Sequence, residues 1–312
     1  PRDKMEFRPH APADTAFDFA NLMMKDYDAS AATTLLEPPS LKHIWDSHIR
    51  NELLELSIAT AEDFVESTSP EIRRDFTRLM KLHTSARMKR SQVHPMSEAD
   101  VLKIQTIIEK RLRDPKRNRP LHIMAMGGSI AHGTPNGAQH PWENATRYPD
   151  RGGMNIKAPW PFRLEEAFNR VLFNGRDVVR VVNMAQPATS SDVASLAVEY
   201  GMWPEGTPME GPDVIIMSFG TNDARGFPQP NAAVDAAEEL ILAARKHQCN
   251  GGPVLIFHDD PYFYSDHGMR YHITISQLTR WHDIMGMSFQ KAFNDLVYTD
   301  PAIDPHKQPA TP

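Results

Sequence analysis

A chain of 312 residues with a net charge of −6, of which 40% are hydrophobic and 24% charged, has the composition of a globular protein with room for one large domain and an appendage. No apolar run approaches the roughly 20 residues that a membrane helix needs, and the basic residues are scattered apart from the short run Lys110 to Arg119, which argues against a bilayer span and against nucleic acid as a partner. The single cysteine, Cys249, excludes an internal disulfide framework and lies far from any Cys/His cluster, so structural zinc and redox chemistry are not expected.

The chain opens on Pro1 instead of methionine, so further residues are expected upstream; a secretory signal among them is compatible with the rest, and the compartment stays open. Residues 1 to about 118 read as an all-helical extension of four or so helices. Leu41 to Phe64 carries Ile44, Ile49, Leu53, Leu54, Leu56, Ile58 and Ala61 at roughly helical spacing, and Ser97 to Leu112 carries Val101, Ile104, Ile107, Ile108 and Leu112. Ser97 stands where a cap belongs, with Glu98 and Asp100 as first-turn acids, and Pro70 can open a helix running to Met88.

From Leu121 the pattern changes to short apolar runs separated by amphipathic stretches. The runs are Leu121 to Met126, Val178 to Asn183, Asp213 to Phe219, Pro253 to His258 and a weaker one at Leu296 to Tyr298. Between them the spacing predicts helices at Pro161 to Phe173, Ser191 to Met202, Ala232 to His247 and about Tyr271 to Asn294. Strand and helix alternating at this interval imply a parallel sheet of about five strands covered on both faces, with a domain division at 1–118 and 119–312. The Pro-rich tail from Pro301 to Pro312 reads as irregular chain.

In such a sheet ligands bind at the carboxyl ends of the strands. The first run ends in Gly127-Gly128-Ser129-Ile130, the second in Asn183-Met184-Ala185-Gln186-Pro187-Ala188, the third in Gly220-Thr221-Asn222-Asp223. A serine on a strand-end turn presents its hydroxyl and its own N–H to the cleft, and an asparagine can donate from its carboxamide; two donors aimed at one point form an oxyanion hole. Ser129 could also be a plain turn residue and Asn222 a helix cap. Their joint occurrence at neighbouring strand ends, with Asp223 free to do the capping, favours chemistry. His258-Asp259-Asp260 follows the fourth run at the same rim, where metal binding or a substitute base is a minor expectation; three residues do not make a convincing metal site without a fourth ligand.

At these residues the chain resembles the SGNH, or GDSL-like, hydrolase family, from Leu121 to about its end. Gly127-Gly128-Ser129-Ile130 looks like the first family block, usually Gly-Asp-Ser, which implies Ser129 as nucleophile. Gly220-Thr221-Asn222-Asp223 matches the third block, Gly-x-Asn-Asp, which implies Asn222 as an oxyanion donor. The second block usually supplies a glycine N–H to the same hole; alanines stand there in this chain, and Ala188 is the candidate. The last block is Asp-x-x-His. This chain offers Asp304-Pro305-His306, one residue shorter, which implies Asp304 as orienter and His306 as base; otherwise the pair lies in sequence outside this chain, or the base is lacking.

The resemblance implies a three-layer α/β/α, flavodoxin-like domain that hydrolyses a small-molecule, lipid or carbohydrate ester, or transfers its acyl group, with no metal or organic cofactor. The long loop Ala131 to Pro159, with Trp142, Arg147 and Tyr148, is expected to line the acyl or alcohol pocket. The rival expectation is a catalytically impaired protein of the same fold that binds a protein partner or assembles through residues 1–118.

Overall fold

The computed structural model describes residues 85–132, 160–227, 229–246, 252–259, 275–289 and 291–292. In chain order these form α1 (Ser85–Ser91), β1 (Gln92–His94), α2 (Glu98–Arg113), β2 (Leu121–Gly127), α3 (Ser129–His132) and α4 (Trp160–Glu166), which continues as a π-helical turn over Ala167–Leu172. Then come β3 (Val179–Asn183), α5 (Ser191–Glu199), β4 (Val214–Ser218), α6 (Gly220–Gly226), α7 (Pro230–Lys246), β5 (Val254–Asp259), helix α8 over 275–281 and β6 (Met285–Ser288).

The six strands lie in the order β1-β6-β5-β4-β2-β3. Strands β2 to β6 are parallel and β1 pairs antiparallel with β6 at the edge. The five parallel strands follow the flavodoxin-like order, whose direction of winding reverses between β2 and β4. Gly127 and Ser218, the last residues of those two strands, face each other there. Strands in the middle of a sheet covered on both faces must be apolar throughout, and β2 is buried at all seven positions and β4 at all five.

Alternation along the strands sorts the core into two layers. Met124, Met126, Ile215, Met217, Leu255 and Phe257 pack against Ala194 and Val198 of α5, Leu240 and Ile241 of α7 and Leu278 of α8. On the other face Leu121, Ile123, Val181, Val214 and Ile216 meet Ile108 of α2, Leu164 of α4 and Phe168 and Phe173 beyond it. Each fully buried side chain of this size contributes roughly 1.5–3 kcal/mol. Helix α2 starts as its sequence predicts: Ser97 is extended (φ −64°, ψ 151°) and its hydroxyl accepts the Asp100 N–H, acids occupy the first turn, and Lys110, Arg111 and Arg113 the last.

Two strands depart from the expected pattern. Met285–Ser288 lies inside the stretch predicted as helix from Tyr271 to Asn294; it holds its extended form by pairing with β5 on one side and β1 on the other. Gln92–His94 lies within the stretch predicted to be all helical, and with α2 it joins the sheet and its core, so the α/β unit takes in residues upstream of the expected boundary at 118. The predicted run Leu296 to Tyr298 falls outside the described residues.

At the free edge of β3 the backbone is covered by side chains of the preceding helix. Asn169 Oδ1 accepts the Val178 and Val179 N–H groups, both at 2.9 Å, its Nδ2 donates to the Val179 carbonyl at 2.7 Å, and Glu165 accepts the Val181 N–H at 2.6 Å. An open edge invites pairing with another chain, and these bonds close it. Asn169→Ala is expected to lower stability by about 2 kcal/mol, read from urea unfolding, and to raise the tendency to aggregate. At the amino ends of β2 and β4 Asp213 accepts hydrogen bonds from the His122 N–H at 2.9 Å and from both terminal nitrogens of Arg119. The bond to Asp213 raises the Arg119 pKa above its ordinary value, while burial, with Arg119 nearby, pushes that of the His122 imidazole down.

Candidate active site

The two glycines before Ser129 are demanded by contact. A Cβ on Gly127 would lie 2.5 Å from the Ser218 carbonyl oxygen and 2.8 Å from the Ala131 Cβ. A Cβ on Gly128 would lie 2.6 Å from Cγ of the Asn222 carboxamide and 2.9 Å from its Oδ1. The Gly128 N–H donates to the Ser218 carbonyl at 3.2 Å. Bare backbone at 127 and 128 thus lets β2 turn tightly against β4 and lets the Asn222 carboxamide lie against the residue preceding Ser129. Ser129, half-buried, is the first residue of α3.

The segment after β3 is tied to the same turn. Met184 N–H donates to the Ala125 carbonyl at 2.8 Å and Gln186 N–H to the Gly127 carbonyl at 3.0 Å. Asn183 accepts the Ala185 N–H at 3.1 Å and donates to the Ala131 carbonyl at 3.0 Å. Ala188, exposed, has φ +60°, the left-handed region that glycine enters freely and that costs an L-residue roughly 1–2 kcal/mol. The alanine where a glycine is expected therefore keeps a glycine-like backbone. Ala188→Gly is expected to stabilise the fold by about 0.5–1 kcal/mol, measured by urea unfolding.

The third segment completes the rim. In the first turn of α6 the N–H groups of Asn222 and Asp223 both bond to the Phe219 carbonyl at 2.9 Å. Asn222 Nδ2 donates to the Thr189 carbonyl at 2.6 Å, which uses one of its two amide hydrogens. Asp223, fully buried, accepts the Ser191 N–H at 2.9 Å and the Ser191 hydroxyl. That carboxylate caps α5 from outside: Ser190 occupies the cap position without a side-chain capping bond and turns its hydroxyl to Asp192 instead.

His258 and Asp259 are neighbours on β5 and so point to opposite faces. The His258 Nδ1 lies 3.1 Å from the Ser218 hydroxyl, and its ring lies 5.6 Å from that of Trp160. Asp259 accepts the Ser288 hydroxyl at 2.8 Å on the other side. The pair does not converge on one point, and among the described residues no group of three or more His, Cys, Asp or Glu side chains is placed to hold a metal ion. His132, at the end of α3, is half-buried, and burial pushes its pKa down. Asp304, His306, Trp142, Arg147 and Tyr148 lie outside the described residues.

Of the predicted site residues, Ser129, Ala188 and Asn222 thus stand on three segments joined to one another by hydrogen bonds at the carboxyl rim of β2, β3 and β4. Sequence reasoning passed over Asn183, the Thr189 carbonyl and the Ser218–His258 contact. The only signal for Asn183 was an amide at a strand end, which is also what many turns contain.

No family model matches the chain, and no curated protein matches it. Solved structures similar to it include AlinE4, described as an SGNH-hydrolase family esterase, at 16% identity and TM-score 0.41 over 62% of this chain and 87% of that one. TesA is similar at 15% identity and TM-score 0.38 over 61% and 89%. A member of the lipolytic protein G-D-S-L family from Veillonella parvula is similar at 15% identity and TM-score 0.37 over 54% and 78%.

Proposed function

We propose that this chain is a serine ester hydrolase or acyl transferase of the SGNH/GDSL type. The observation that carries the reading is the Asn222 carboxamide packed against Gly128, the residue before Ser129, while bonded to the carbonyl of Thr189, the residue after Ala188. In this reading the Ser129 hydroxyl attacks the ester carbonyl. The oxyanion that forms takes hydrogen bonds from the Ser129 N–H, the Ala188 N–H and the remaining amide hydrogen of Asn222. His306, oriented by Asp304, accepts the serine proton and returns it to the departing alkoxide; water or an acceptor alcohol then releases the acyl group. The left-handed backbone of Ala188 supports its part, because it holds the N–H in a direction that an ordinary extended or helical residue would not give. The substrate is a carboxylic ester of a small molecule, lipid or carbohydrate.

The test is labelling with a serine-directed fluorophosphonate followed by peptide mapping. An adduct on Ser129 is the expected result. Complete absence of adduct under conditions that label a control esterase would replace this reading by that of a binding protein built on the same fold.

A further inference from the structure

Among the described residues helix α3 is the turn Ser129–His132. The opening turn of a helix is costly to set, because nucleation fixes several dihedral angles for almost no hydrogen bonds. Contacts from outside the turn fix its orientation, and with it the direction of the Ser129 hydroxyl. Two supports hold it against β2 and β4: the Gly128 N–H on the Ser218 carbonyl, and the fully buried Ala131 pressed against Gly127. A third support comes from β3: the Ala131 carbonyl accepts a hydrogen bond from Asn183 Nδ2 at 3.0 Å.

Asn183 is itself held. It is the last residue of β3, in register with Ala125 of β2, and its Oδ1 accepts the Ala185 N–H at 3.1 Å. That second bond decides which way the carboxamide faces, since the oxygen must meet the N–H and the nitrogen is left for α3.

We propose that Asn183 is a positioning residue for Ser129, its carboxamide tying the turn that carries the serine, at the Ala131 carbonyl, to the end of β3. The assignment rests on the reading of Ser129 as nucleophile and adds a determinant at a position to which that reading gave no role. The same carboxamide touches two segments, α3 and the loop leading to Ala188, so it sets the nucleophile and one oxyanion donor relative to each other. Aspartate at 183 keeps the acceptor for the Ala185 N–H, loses the donor and places a carboxylate oxygen against the Ala131 carbonyl. It therefore releases α3 while leaving the β3 end in place.

The experiment compares wild type, Asn183→Asp and Asn183→Ala in p-nitrophenyl butyrate hydrolysis, fluorophosphonate labelling rate, thermal melting and amide hydrogen exchange over 129–132. For Asn183→Asp a fall in kcat of about 10- to 100-fold is expected with KM within about two-fold, because misplacing reacting atoms by ~1 Å costs on that order. Labelling slows in proportion, exchange of the 130–132 amides rises about ten-fold or more, and melting shifts by only a few degrees. Wild-type kcat with unchanged exchange in that variant overturns the proposal. So does a loss of activity that merely tracks a lowered melting temperature and disappears on cooling. If wild type itself takes no label on Ser129, the hydrolase reading fails separately, and the exchange of 130–132 still decides whether Asn183 holds α3.

Discussion

Ser129→Ala is expected to lower ester turnover on the order of 10⁴- to 10⁶-fold, the range seen when a serine nucleophile is removed from an intact site, and to abolish fluorophosphonate labelling. The fold should tolerate the change. Ser129 opens α3, where alanine is a good former, and the contacts that place the turn come from Gly127, Gly128 and Ala131 instead. Melting within a degree or two of wild type is therefore part of the prediction. A residual rate above that of water is also expected, because the oxyanion donors remain. The result that would sink the assignment is a well-folded Ser129→Ala protein that hydrolyses p-nitrophenyl butyrate at the wild-type rate.

The second large effect is that of Asn222→Ala, with an expected fall in kcat of about 10²- to 10³-fold, equivalent to roughly 2.7–4 kcal/mol of barrier. KM should change little, since the donor acts on charge that develops only in the transition state. The substitution also frees the Thr189 carbonyl, which adds a stability loss of about 1 kcal/mol. If Asn222 were only a structural tie between α6 and the segment before α5, melting would fall and kcat at low temperature would not. Gly128→Ala offers a check on the same geometry from the other side of the contact. Its Cβ would lie 2.6 Å from the Asn222 Cγ, so the carboxamide must move, and activity should fall without any loss of a polar group.

Much of the layered core was legible in the chain. Strands β2, β3, β4 and β5 end within a residue of the apolar runs that predict them, because strands buried on both faces need continuous apolar sequence. Helices α2 and α7 follow their 3.6-residue spacing, and the cap at Ser97 forms as its neighbours Glu98 and Asp100 suggest. β6 was not legible. Met285-Gly286-Met287-Ser288 is four residues long, poor in β-branched and aromatic types, and follows directly on helical sequence; only its two neighbours make it a strand. β1, at three residues, is too short to show a period at all.

The residues at the rim divide in the same way. Sequence alone determined that a serine, an asparagine and a glycine substitute would stand at the ends of three runs, because the strands that carry them are written locally in apolar side chains. Tertiary structure decided how those ends meet. Ala188 takes a left-handed backbone, Asn222 bonds to a carbonyl 33 positions away, Asp223 caps a helix 32 positions upstream, and Asn183 holds a turn 52 positions before it. Such bonds join one polar atom to one distant backbone group and leave no periodicity in the chain. They exist only once the burial of two apolar layers has brought β2, β3 and β4 side by side.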